Sequence, residues 1–105
     1  MEAVIMEIKK EQNGNALVMH LIGRLAVKEA KELDQVVKSE LSGVTDLTFD
    51  LAELSYIASA GLRVLLIAQD MMDEAGGSMK LTHVNATVMG VLHMTGFSEF
   101  MTIEA

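Results

Sequence analysis

The spacing of apolar residues changes period several times along this chain, and each change marks an element. Residues 3–9 alternate, with Val4, Met6 and Ile8 on one face and Ile5 as an apolar exception. Asn13-Gly14-Asn15 is a turn signal, and Ala16 to Ile22 is a second apolar run. Two such runs around an Asn-Gly turn read as a β-hairpin. From Val27 the period becomes helical: Val27, Ala30, Leu33, Val37 and Leu41 recur three or four residues apart, and Gly43 is a stop. Asp46 to Leu51 is a short buried strand. Ala60 to Asp73 returns to helical spacing through Leu62, Leu65, Leu66, Gln69 and Met72, and Ala75-Gly76-Gly77 ends it. Ser78 to Val84 is another strand. Asn85 is the expected N-cap of a third helix, Ala86 to Met94, ended by Thr95-Gly96-Phe97, and Phe100 to Ile103 is a last strand. The predicted order is β-β-α-β-α-β-α-β. Strand–helix alternation after an opening hairpin implies a mixed sheet with helices packed against it.

Composition narrows the picture. The 105 residues suit one domain, and half of them are hydrophobic with 22% charged, which is globular rather than disordered. The formal net charge of −7, from 15 acidic and 8 basic residues, argues against nucleic acid or an anionic membrane as partner. No cysteine is present, which excludes disulfides, thiol chemistry and cysteine zinc sites and favours a cytoplasmic location. The opening MEAVIMEIKKEQ carries Glu2 and Glu7 and no long apolar block, so no signal peptide is expected. The apolar runs are far shorter than the ~20 residues of a membrane span. There is no proline, repeat or linker.

Candidate chemistry centres on Asp50 to Leu66, where a strand runs through Ser59-Ala60-Gly61 into a helix. A serine hydroxyl is thereby set beside a helix N-terminus, where backbone N–H groups lack intrahelical partners and negative charge is favoured. Such a serine caps the helix, attacks a substrate or accepts a phosphate. The surroundings are not G-x-S-x-G, because position 57 is Ile, and no general base can be assigned. Capping and phosphorylation remain open. His20, His83 and His93 fall in three different elements without a carboxylate or second histidine at ligand spacing, so surface or structural roles are expected and no metal or other cofactor is called for. The nine methionines read as core filler, with Met71, Met72, Met89 and Met94 as the alternative material of an adaptable partner surface. Glu29, Lys31, Glu32, Asp34 and Lys38 read as the solvated face of the first helix. Gly76-Gly77 reads as a helix stop rather than a phosphate cradle.

The chain resembles a STAS domain over nearly its whole length, and in particular the stand-alone anti-sigma factor antagonists of bacterial partner-switching systems. The resemblance is carried by Leu21-Ile-Gly-Arg-Leu25, the segment Leu47 to Leu66, Gly76-Gly77, Val84-Asn-Ala-Thr-Val88 and Val91-Leu-His-Met-Thr-Gly-Phe97. It implies one STAS domain over 1–105, of α/β class with α+β character, a mixed four- to five-stranded sheet with helices on one side. It implies a non-enzymatic regulator of transcription that binds an anti-sigma factor, itself a serine kinase, with a phosphatase as a further partner. In the family the second-helix turn reads Asp-Ser-Ser/Thr-Gly and the first serine is the phosphoacceptor. The matching residues are Ala58, Ser59, Ala60 and Gly61, so the resemblance puts the phosphoacceptor at Ser59 and the partner-binding surface at Gly23, Arg24, Ala58, Ser59, Ala60, Gly61, Leu62 and Arg63. Two positions depart from the pattern. Ala58 replaces the usual aspartate, and Gly23-Arg24-Leu25-Ala26 replaces Gly-Glu-Leu-Asp, which brings Arg24 within expected reach of a phosphate on Ser59. The alternatives are a constitutive STAS scaffold or adaptor, with Ser59 only capping its helix, and a sensor of a small anionic ligand.

Overall fold

The computed structural model describes residues 6–104. The part of the expected first strand at 3–5 lies outside the described residues. β1 (Met6–Asn13) and β2 (Ala16–Leu25) form the antiparallel hairpin, turning at Gly14 with φ +65°. The chain continues as α1 (Val27–Glu40), β3 (Asp46–Asp50), β4 (Leu54–Ile57), α2 (Ser59–Glu74), β5 (Ser78–Thr82), α3 (Ala86–Met94), a 3-10 turn at Phe97–Glu99, and β6 (Thr102–Glu104). The sheet order is β1-β2-β3-β5-β6, with β4 beside β2, and every pairing after the hairpin is parallel. From β2 outward each new strand is added in the same direction. Right-handed crossovers therefore deliver all the helices to one face.

Burial along the strands agrees with a sheet covered on one side. Leu17, Leu47 and Met79 form one row in register, and Met19, Phe49, Leu81 and Ile103 form the next; all but the half-buried Ile103 are buried. These rows pack against Ala30, Leu33 and Val37 of α1, Leu62, Leu65, Ala68 and Met72 of α2, and Val88 and Leu92 of α3. Phe49 is the largest side chain that is fully buried, and its truncation to alanine would cost about 3–5 kcal/mol. The opposite face carries Lys9, His20, Asp50, Thr82 and Glu104 in one row and stays polar. Of the methionines, Met19, Met72, Met79 and Met101 are buried, whereas Met94 is exposed.

β4 is the element that periodicity did not predict. Its four residues, Leu-Ser-Tyr-Ile, bury Leu54 and Ile57 and expose Ser55 and Tyr56, a pattern too short to alternate. The ten-residue β2 makes room for it. β3 pairs with Ala16 to His20, and β4 pairs with Gly23 to Leu25, with a register shift between Gly23 and Arg24. Gly23 has φ +107°, a conformation glycine adopts at little cost. Between β3 and β4 the Asp50 carboxylate accepts the Ala52 N–H at 3.0 Å, turning the chain. β2 thus runs three residues past the expected Ile22, and α2 starts at Ser59, one residue before the expected Ala60.

Candidate functional site

β2 and β4 end side by side, and α1 and α2 begin there together. The Ala58 N–H donates to the Leu25 carbonyl at 2.9 Å, which joins the two strand ends. Ala26 and Ala58 hold the N-cap positions of α1 and α2, both in extended backbone, and alanine has no side-chain acceptor, so neither helix start is capped by a side chain. This overturns the capping reading of Ser59. Ser59 is the first residue inside the helix, one position too late to cap, and its exposed hydroxyl has no hydrogen-bond partner among the described residues. The Ala58 carbonyl accepts from Gly61 (2.9 Å) and Leu62 (3.1 Å). The N–H groups of Ser59 and Ala60 have no such acceptor among the described residues.

Gly61 is required by close approach rather than by a left-handed backbone. A Cβ at this position would lie 2.6 Å from Leu25 Cγ, 2.8 Å from Leu25 Cδ2 and 3.1 Å from Ile57 Cγ1. The first turn of α2 therefore rests directly on the ends of β2 and β4. Gly61 and Leu62 are buried, so of the residues expected at a partner surface these two face the core. Arg24, Ser59 and Arg63 are exposed, and Gly23, Ala58 and Ala60 are half-buried.

Ser59 stands on the rim of a groove of about 600 Å³ between α1 and α2, lined among others by Val27, Lys31, Asp34, Lys38 and Arg63. The expected solvated face of α1 is thus divided. Glu29 is 5% exposed, Asp34 is half-buried, and Lys31 and Lys38 border the groove. Val27, assigned to the core by its spacing, is 60% exposed at the groove instead. Asp34 Oδ2 pairs with Lys38 at 3.0 Å, and its Oδ1 is buried without a partner among the described residues. In a chain of net charge −7 the groove gathers three cations against one carboxylate. Sequence periodicity could not show this, because Lys31 and Arg63 lie on helices 32 positions apart. Arg24 is absent from the groove lining. Its guanidinium lies 4.4 Å from the Tyr56 ring centroid, a cation–π stack.

A second polar cluster lies on the open face of the sheet. His20 Nδ1 meets Asp50 Oδ2 at 3.1 Å, His20 Nε2 meets Glu11 Oε2 at 2.6 Å, and His83 Nδ1 meets Asp50 Oδ1 at 3.2 Å. The parallel register of β2 and β3 places His20 opposite Asp50, a carboxylate that sequence spacing did not offer. Both His20 nitrogens face acceptor-only oxygens, so the imidazolium is favoured. The hydrogen bond to Glu11 raises the His20 pKa; burial opposes it and the Asp50 charge adds to it. For Asp50, burial pushes the pKa up but is outweighed by the Ala52 N–H and by His83 and His20, leaving it lowered. No group of side chains among the described residues is arranged to hold a metal ion.

The fold is an open-faced sheet covered on one side by three helices, with an exposed serine where two helices without side-chain caps begin. Residues 7–105 match the STAS domain, and the chain belongs to that family. It is 26% identical over 100 residues to the anti-sigma-B factor antagonist of Bacillus subtilis (strain 168), covering 95% of this chain and 92% of that protein. Its fold is shared with an anti-sigma factor antagonist from Mycobacterium paratuberculosis, with TM-score 0.82, 17% identity and coverage of 94% of this chain and 85% of the other. It is shared also with the Bacillus protein SpoIIAA. The unphosphorylated form matches with TM-score 0.75, 16% identity and coverage of 94% and 87%. The phosphorylated form matches with TM-score 0.75, 18% identity and coverage of 94% and 92%.

Proposed function

We propose that this chain is an anti-sigma factor antagonist that acts in the cytoplasm by binding and not by catalysis. Its unmodified form docks on an anti-sigma factor and so frees a sigma factor. That partner is also a serine kinase, which transfers the γ-phosphoryl group of ATP to Ser59 Oγ. The new P–O ester replaces the β–γ anhydride bond, and ADP and the hydroxyl proton leave. The phosphorylated form is released, and a phosphatase restores it by hydrolysis.

The observation that carries this reading is the exposed Ser59 hydroxyl, held at the first residue of α2 with no hydrogen-bond partner among the described residues. A hydroxyl that caps nothing is free to be modified without loss to the fold. The exposed apolar side chains Val27 (60%) and Tyr56 (38%) near the same corner support a docking surface there. Support also comes from the relatives, named as anti-sigma factor antagonists, one of them solved in both phosphorylation states.

The test begins with a pull-down from the source cells, followed by calorimetry with the captured partner. Ser59→Asp is expected to weaken binding more than tenfold, about 1.4 kcal/mol or more, while melting as the wild type does. Intact-mass spectra after incubation with partner and ATP should show one phosphate, absent in Ser59→Ala. Equal affinity of Ser59→Asp and wild type would favour a constitutive scaffold, and label persisting in Ser59→Ala would remove Ser59 as the acceptor.

A further inference from the structure

We propose that a phosphoryl group on Ser59 is seated within its own molecule, in the α1–α2 groove, by the Arg63 guanidinium and the Lys31 ammonium. The inference rests on the phosphorylation reading above and adds the means by which the phosphate is held.

The placement follows from helix geometry. Ser59 and Arg63 are four residues apart on α2 and both line the groove. Residues at this spacing have Cβ atoms roughly 5–6 Å apart. Helical side chains lean toward the N-terminus, so the long arginine stem points back along the helix toward Ser59. Lys31 faces the same groove from α1. Neither Arg63 nor Lys31 is in an ion pair among the described residues. The other basic groups near a carboxylate or ring are engaged: Lys38 holds Asp34, Lys10 holds Glu40, Lys80 meets Glu104 at 3.6 Å, and Arg24 stacks on Tyr56. Two cations without an ion pair among the described residues therefore line the same groove as the serine.

The charges match. A phosphoserine carries about −1.5 to −2 at neutral pH, and a guanidinium–phosphate contact is charge-assisted and bidentate. The charged groups that line the groove are Lys31 on α1, Arg63 on α2, and the Asp34–Lys38 pair, in which the carboxylate is already met by its own cation. Phosphorylation would thus turn a cationic groove nearly neutral. The surface a partner meets changes in charge across its width and not only at the serine.

The experiment uses the full chain with phosphoserine incorporated at position 59 during translation, which makes it independent of any kinase. The second phosphate ionisation is followed by ³¹P NMR titration of the folded chain and of the same chain in urea. The folded value is expected to lie at least half a unit lower, a threefold weaker hold on the proton. Arg63→Gln and Lys31→Gln should each move it back toward the urea value, Arg63→Lys should restore part of the shift, and Arg24→Gln should leave it in place. High salt should shrink the shift. Equal values in the folded and urea-unfolded chains would overturn the seat. So would a lowered value indifferent to Arg63 and Lys31, since the helix start alone would then account for it. Absence of phosphate transfer by the captured partner would instead count against the proposed function, while the titration of the incorporated phosphoserine would still stand.

Discussion

The starts of α2 and α3 use a small polar residue in opposite ways. At α3 the Asn85 side chain sits at the N-cap: its oxygen accepts the Val88 N–H at 2.9 Å, and its nitrogen donates to the Leu54 carbonyl at 2.6 Å. Both ends of that amide are occupied, and together they tie α3 to β4. At α2 the N-cap is Ala58, and the hydroxyl of Ser59, one residue later, has no hydrogen-bond partner among the described residues. A shift of one position separates a polar group that holds the fold from one whose hydroxyl is left exposed. A helix cap is worth about 1 kcal/mol, so leaving α2 uncapped has a real thermodynamic cost. Shape holds α2 instead, through the contact of Gly61 with Leu25 and Ile57.

The sharpest way to break this comparison is at Gly61. Gly61→Val forces a branched side chain into atoms of Leu25 and Ile57 and should destabilise the protein by about 1–3 kcal/mol or more. Urea unfolding would measure it. A variant with an unchanged midpoint would show that α2 does not rest on these strand ends.

Asn85→Ala and Ser59→Ala should differ although both remove a small polar group near a helix start. The first loses a cap and leaves the Leu54 carbonyl without its donor, for a loss of about 1–2 kcal/mol. The second should stay within about 0.5 kcal/mol of wild type. Equal losses in thermal melts would erase the distinction.

Ala58→Asp sharpens the comparison in the other direction. The backbone at Ala58 is already extended, with φ −88° and ψ 165°, as a cap requires. An aspartate there should accept a first-turn N–H and raise stability by about 1 kcal/mol at neutral pH. No gain in the unfolding midpoint would mean that the α2 start has no room for a cap.

The smallest expected effect lies on the open face of the sheet, where polar groups are engaged as Asn85 is. The His20 pKa is raised above its ordinary 6.5, so its contribution to stability is complete below 6.5 and fades as pH rises through the folded value. Asp50 is lowered from 3.8, so its contribution holds above 3.8 and fades as pH falls through its folded value. His20→Gln should therefore lower the melting temperature more at pH 5.5 than at pH 8.5. Equal lowering at the two pH values would mean that the carboxylates around His20 do not favour its charged form.

Much of this architecture is legible in one dimension because its cause is local. The hairpin at Gly14, the stripes Leu33-Val37 and Leu62-Leu65-Met72, and the cap at Asn85 follow from turn chemistry, periodicity and hydrogen-bonding groups within a few residues. The position of Ser59 beside a helix start was legible for the same reason. Its exact offset was not, because whether α2 begins at 59 or 60 depends on where β4 releases the chain. β4 in turn exists because β2 is long enough to pair with two strands along one edge, a non-local condition.

The chain by itself thus determined its elements and their order apart from β4, most of the apolar faces, and the serine at the strand–helix turn, all governed by neighbours in sequence. Tertiary structure decided which polar groups are engaged and which are free. Parallel pairing brought Asp50 to His20, packing buried Glu29, Arg24 went to Tyr56, and the approach of α1 to α2 put Lys31, Arg63 and Ser59 in the lining of one groove. Each of these depends on contacts between residues distant in the chain, where spacing carries no information and only the assembled sheet and its packed helices fix the distance.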